Sequence, residues 1–142
     1  MRQDFLIIQQ SPEKSYDLGG NEVLIDKPKN YIEECCLSLG ASLKGRNEAV
    51  FKCTNINYKL PIVLSNKEEL YYLLTRSINA KDCILINYRE LLRYKQINDE
   101  QVLLIFRNGF TRKINTNYRI IKRQIAILEK YLNNYYQKCY NH

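Results

Sequence analysis

Gln101-Val-Leu-Leu-Ile-Phe106-Arg107-Asn108-Gly109-Phe110-Thr-Arg112-Lys113-Ile114 is the stretch that decides the fold. Two runs of strand composition, Gln101 to Phe106 and Phe110 to Ile114, flank Asn108-Gly109, the dipeptide that accepts positive φ in a type I′ hairpin turn. Arg107 precedes the turn, and Arg112 and Lys113 lie on the return strand, so the hairpin has a basic end. On its C-terminal side the spacing predicts one long helix, roughly Asn117 to Gln137, capped by Thr116 or Asn115. Tyr118, Ile121, Ile125, Leu128, Leu132 and Tyr135 recur at alternating steps of three and four, a seven-residue seam. Arg119, Lys122, Arg123 and Lys130 fall off that seam as a basic flank. Such a helix suits a core with a solvated basic side; it also suits packing against a second copy, or a flank laid on phosphates.

Toward the N-terminus the pattern is mixed. Cys83 to Asn87 is an apolar run of strand length, whereas Tyr88 to Gln96 can be drawn either way. Ala49 to Thr54 and Leu60 to Leu64 have strand composition, and Glu69 to Leu74 is ambiguous between strand and helix. Asn30 to Leu39 reads as a helix, with Ile32, Cys35, Cys36 and Leu39 on one face and Asn30 with Glu33 as a loose capping box. Gly40 stands where a C-terminal cap belongs. Phe5 to Ile8 and Glu22 to Ile25 read as short strands, with Gly19-Gly20-Asn21 as turn signal. The expectation is an α+β fold over residues 1–142 as a single domain. It has a mostly antiparallel sheet, a short helix near 30–39 and a long C-terminal helix.

Composition narrows the function. With 142 residues, 45% of them hydrophobic, the chain can bury one real core. Its net charge of +7 is unevenly placed: residues 1–70 carry nine Lys/Arg against ten Asp/Glu, and residues 71–142 carry thirteen against five. A basic half points to a polyanion, either nucleic acid or an anionic membrane surface. The N-terminal apolar run is too short for a signal peptide, and no stretch approaches bilayer-spanning length. The five cysteines, at 35, 36, 53, 83 and 139, are odd in number and lack C-x-x-C spacing, which suits free buried thiols in a reducing cytosol. The expected location is therefore cytoplasmic, with no membrane partner. His142 is the only histidine, so a Cys–His pair or a histidine base has no candidate within the body of the chain. Glu33-Glu34 and Glu68-Glu69 are adjacent pairs that suit solvent. No catalytic residue, metal site or cofactor is expected.

Residues 36–62 hold an unusual run: Cys36-Leu-Ser-Leu-Gly40-Ala41-Ser42-Leu-Lys44-Gly45-Arg46, then Thr54-Asn-Ile56-Asn-Tyr-Lys59-Leu-Pro61-Ile62. It is not a P-loop, because Arg46 and Asn47 stand where the lysine and the magnesium-binding hydroxyl belong, and the loop follows a helix. The run closely resembles the ComK family of competence transcription factors. The pattern C-x-x-x-G-[SA]-S-x-x-G-R is met at Cys36, Gly40, Ala41, Ser42, Gly45 and Arg46. The pattern T-x-I-x-x-K-x-P-I is met at Thr54, Ile56, Lys59, Pro61 and Ile62, at the family's spacing. Thr75 and Cys83 also fall in register, and Asn108-Gly109 occupies the place of the family's hairpin. The chain departs from the family at Leu74 and Leu85, where a proline and a tryptophan are usual. It also has a shorter N-terminal region and stops near the end of the long helix.

The resemblance implies a non-enzymatic, sequence-specific activator that binds AT-rich boxes in double-stranded promoter DNA and switches on DNA-uptake genes. It further implies a homodimer or higher oligomer, with RNA polymerase as a further partner. AT-rich minor grooves attract inserted arginine. Arg46 is the leading candidate, with Gly45 letting the backbone approach and Lys44 beside it for a phosphate. The competing reading has Gly40 and Gly45 shaping a turn while Arg46 pairs with a carboxylate. Arg107, Arg112 and Lys113 on the hairpin, Arg119, Lys122 and Arg123 on the helix, and Lys59 beside Pro61 complete the expected contacts, so that loops and hairpin read the DNA. The alternative function is a protein-interaction module beside DNA machinery, using the Tyr118 to Tyr135 seam.

Overall fold

Short apolar runs build the central layer. The computed structural model describes residues 3–140, with side chains to Gln137, so Met1, Arg2, His142 and the Cys139 thiol lie outside the described residues. Six strands, β1 (Phe5–Ile8), β2 (Ser15–Asp17), β3 (Glu22–Val23), β4 (Ile62–Ser65), β5 (Leu70–Leu74) and β6 (Leu85–Asn87), form one sheet in the order β3-β2-β1-β6-β5-β4. All of its neighbours are antiparallel. β1, β4, β5 and β6 are buried at every position, because both faces of this sheet are covered. That is why Glu69 to Leu74 shows no period two: a strand covered on both sides needs apolar residues pointing both ways.

One face of the sheet, with Phe5, Ile8, Ile62, Leu64, Tyr72, Leu74 and Leu85, packs against Ile32, Cys35 and Cys36 of helix α1 (Pro28–Ser38). The other face, with Leu6, Ile7, Val63, Tyr71, Leu73 and Ile86, receives two elements. These are helix α3 (Tyr118–Tyr140), through Ile121, Ile127, Leu128 and Tyr131, and a second sheet. That second sheet is β7 (Leu91–Asn98), β8 (Gln101–Phe106) and β9 (Thr111–Asn115), antiparallel in chain order. In β8, Val102, Leu104 and Phe106 point into the core, while Gln101, Leu103 and Ile105 point away. Helix α2 (Leu43–Thr54) wraps the β4 edge, with Leu43 in one core and Val50 in the other. The fold is α+β, as the sequence pattern predicts.

Several local expectations are corrected. Ala49 to Thr54 is the second half of α2 and not a strand. The Ser42 side chain accepts the Gly45 N–H at 3.0 Å and starts the helix, and Asn55 ends it in the left-handed region at φ 58°. Capping at both ends and burial of Val50 outweigh the strand composition of the segment. Helix α1 begins at Pro28, whose missing N–H costs nothing in the first turn, so Asn30 is not its cap. The 108–109 turn is not type I′. The Gly109 N–H donates to the Phe106 carbonyl at 3.0 Å, and Gly109 alone in the turn takes positive φ, 91°. This is a three-residue loop ending in a left-handed glycine. Neither Thr116 nor Asn115 caps α3; the Asn117 side chain does, accepting from the Ile120 N–H at 3.1 Å. Tyr88 to Gln96 resolves as a turn leading into β7.

Candidate nucleic-acid interface

The Cys36–Arg46 motif forms the corner between α1 and α2. Gly40 follows the end of α1 at φ 84°, a conformation that needs glycine. Ser42 caps α2, and a Cβ on Gly45 would lie 3.2 Å from the Ser42 hydroxyl, so Gly45 keeps room for that cap. Cys36 is fully buried, and burial pushes its thiol up, against the opposing pull of Arg46. Arg46 is therefore a residue of the first turns of a helix, half-buried, with an Nε that is buried and lacks a hydrogen-bond partner. The exposed glycine loop that would carry it into a groove is absent. Lys44 is exposed on the same helix, beside Glu48.

The second motif builds the link from α2 to β4. Thr54 is buried and donates to the Val50 carbonyl at 2.8 Å while accepting the Ile56 N–H at 3.2 Å. Ile56 packs on the core, and Pro61 is buried at the start of β4. Lys59 sits at φ 48°, where its carbonyl accepts from Gln124 Nε2 at 2.5 Å and its ammonium lies 5.7 Å from the exposed Tyr58 ring. Arg123 donates to the Tyr58 carbonyl at 3.2 Å, so Lys59 and Arg123 are brought together. Gln124 is itself buried and also accepts the Leu74 N–H at 3.0 Å, tying α3 to β5.

Charge is sorted by layer. Residues 91–140 hold ten Lys/Arg against three Asp/Glu, whereas residues 1–90 hold twelve of each. On α3, Arg119, Lys122, Arg123 and Lys130 are all exposed, spaced so that Arg119/Arg123 and Lys122/Ala126/Lys130 follow one outward face. Glu129, the one acidic residue of α3, is turned aside and accepts from the Tyr88 hydroxyl at 3.2 Å. Asp99 of the β7–β8 turn lines the same cleft as Arg119, so the uncompensated part of the stripe is Lys122, Arg123 and Lys130.

The hairpin cations separate. Arg112 pairs with Leu104, which places it on the inner side of the sheet, where its guanidinium lies 5.2 Å from the Tyr16 ring. Lys113 pairs with Leu103 on the outer side. Arg107, at the turn, donates to the Arg89 carbonyl at 2.8 Å. Two cations not singled out from the sequence, Arg93 and Lys95, pair with Ile105 and Leu103 and share the outer side with Lys113. Assigning β7 as a strand would have put them there, since partners in an antiparallel ladder share a face. The α3 seam splits: Ile121 and Leu128 are buried, while Tyr118, Ile125 and Leu132 line a groove of about 670 Å³ with Tyr88, Leu92 and Tyr94.

Other chemistry is thinly represented. The described thiols Cys35, Cys36, Cys53 and Cys83 form no disulfide, and burial pushes Cys83 up to about 11. Thiols held protonated by burial, as Cys36 and Cys83 are, are packing groups and not nucleophiles. Among the described residues no group of three or more His, Cys, Asp or Glu is placed to hold a metal ion. No described helix is long and apolar enough to cross a membrane.

The family profile described as ComK protein matches residues 7–139, nearly the whole chain. The chain belongs to the ComK family. A competence transcription factor of Bacillus subtilis (strain 168) is 23% identical over 99 residues, covering 70% of this chain and 52% of that protein. The chain thus spans about half the length of the curated relative that it matches. No solved structure matches it.

Proposed function

We propose that this ComK family chain is a non-enzymatic competence transcription factor that acts as one domain in the cytoplasm. It binds AT-rich promoter duplex as a homo-oligomer and activates transcription together with RNA polymerase. The observation that carries the DNA-binding part is the sorting of charge. The chain's net charge of +7 equals that of residues 91–140 alone, and those residues build the layer on one side of the central sheet. Self-repulsion among like charges works against the fold, so their concentration in one layer is best explained by a polyanion that neutralises them. Lys122, Arg123 and Lys130 take phosphates, with Lys59 and Arg119 at the same end of α3. Arg46 and Lys44 sit at a corner where acidic and basic side chains alternate, and they stay outside the DNA contact.

The test is a gel shift of the full chain on AT-rich and GC-rich duplexes of equal length over a series of salt concentrations. The expected result is preference for AT-rich duplex. The logarithm of affinity should also fall with the logarithm of salt with a slope of about −0.9 per phosphate contacted, about −3 or steeper in total. Salt-independent binding, or none, overturns the reading.

The groove between β7 and α3 favours one second reading, a protein-interaction module. Its apolar and tyrosine lining is the kind of concave surface that takes a partner's side chains. A chain that captures no duplex yet binds a component of the transcription machinery would support that reading instead.

A further inference from the structure

The outer face of the β7–β8–β9 sheet has no part in either core. Its register sets Lys95, Leu103 and Lys113 in one cross-strand row and Arg93, Ile105 and Thr111 in the next. The three strands contain no acidic residue; Arg93 lines the groove that also holds Glu129, which leaves Lys95 and Lys113 without a carboxylate neighbour in the sheet. Leu103 and Ile105, on the central strand, are half-exposed and belong to neither hydrophobic core. The inner-facing Val102, Leu104 and Phe106 of the same strand are fully buried, so the outer pair is not there to hold the sheet on. Leu103 has a cation on each side and Ile105 has Arg93 on one side and Thr111 on the other, an arrangement that solvent does not require. Water would be served as well by Thr or Lys at 103 and 105.

We propose that this outer face is the surface that discriminates between base pairs, an inference that rests on the DNA-binding reading above. Neighbouring strands lie about 4.8 Å apart, so Lys95 and Lys113 stand about 10 Å apart with Leu103 midway. Their long side chains reach phosphates on either side of a groove while Leu103 and Ile105 face the base edges. The apolar strip supplies the preference. An A·T pair shows no guanine amino group in the minor groove, whereas a G·C pair would bury that donor against hydrocarbon without a partner. Leucine and isoleucine are among the side chains that duplex-bending proteins press between A·T-rich steps. The stripe on α3 supplies affinity, and the sheet supplies choice.

Fluorescence anisotropy with AT-rich and GC-rich duplexes, run on the full chain and two variants over a salt series, tests this. For Arg93→Gln/Lys95→Gln/Lys113→Gln the expected result is weaker binding of both duplexes and a salt slope shallower by about 2 to 3. For Leu103→Thr/Ile105→Thr, which places β-branched strand formers at both positions, it is an unchanged salt slope with the AT-over-GC preference reduced about fivefold or more. Single Lys95→Gln and Lys113→Gln variants, each expected to lower the slope by about 0.9, serve if the triple variant fails to melt cooperatively. Folded sheet variants that keep the parent's affinity, slope and preference overturn the inference and leave the DNA-binding reading standing. A parent chain indifferent to DNA overturns the reading itself.

Discussion

The α1–α2 corner and the layer made of α3 with the three-stranded sheet differ in what their polar side chains do. At the corner they serve the fold: Ser42 caps α2, Gly40 turns the chain, Gly45 leaves room for the cap, and the Arg46 Nε is buried. Its outline, two helices joined by four residues with a glycine, resembles a helix-turn-helix. However, its second helix is packed into both cores, and residues 28–54 carry four Lys/Arg against three Asp/Glu. In the other layer Arg93, Lys95, Lys113, Lys122, Arg123 and Lys130 are exposed, and only Arg112 turns inward, over the Tyr16 ring. The comparison teaches that a distinctive sequence motif can mark a tight corner, while the binding surface is spread over residues whose spacing is ordinary.

The strongest way to break this contrast is charge reversal in each region. Lys122→Glu/Arg123→Glu should lower affinity for AT-rich duplex by about a hundredfold or more at moderate salt, since two phosphate contacts become repulsions. Lys44→Glu and Arg46→Ala should leave affinity unchanged, measured by the same anisotropy titration. A loss with Arg46→Ala of the roughly 1–3 kcal/mol of a good base contact would move the interface to the corner.

Stability should separate the polar groups that hold the fold, in either region, from the exposed cations. Gln124→Leu strands the buried Leu74 N–H and is expected to cost about 1–3 kcal/mol in urea unfolding. Ser42→Ala removes the α2 cap and should cost about 1 kcal/mol, with DNA affinity per folded molecule unchanged. If Ser42→Ala weakened binding at unchanged stability, the corner would be an interface after all.

The smallest effect concerns pH. Burial raises Cys83 to about 11, above the ordinary thiol value, so the folded state holds its proton more tightly than the unfolded chain does. The stability this contributes is complete below about pH 8.5 and is lost as pH rises toward 11. Cys83→Ala should therefore show a flatter decline of the urea midpoint between pH 8 and 10.5 than the parent does. An identical decline would place Cys83 outside the core.

Much of the fold was legible in the sequence. Asn108-Gly109 between strand runs located the β8–β9 hairpin, and the three-and-four spacing located α3, because both are local signals with a single period. Ala49 to Thr54 misled, since a helix fixed by caps and by contacts on two sides does not need helix-favouring composition. The candidate site was half legible. Lys122 and Arg123 stand out as cations off an apolar seam. Arg93 and Lys95 did not, because their face depends on pairing with β8, which the Tyr88 to Gln96 pattern does not specify. Arg112 and Lys113 are adjacent in sequence yet lie on opposite sides of the sheet, as the period of two requires.

The most direct test of the layered arrangement is an NMR titration of the uniformly labelled full chain with an AT-rich duplex, following backbone amides. The predicted result is shifts or broadening confined to β7–β9, to residues 119–130 of α3 and to the neighbouring Lys59, with residues 28–54 unmoved. Perturbation centred on Gly40 to Arg46, with the three-stranded sheet unmoved, would contradict it.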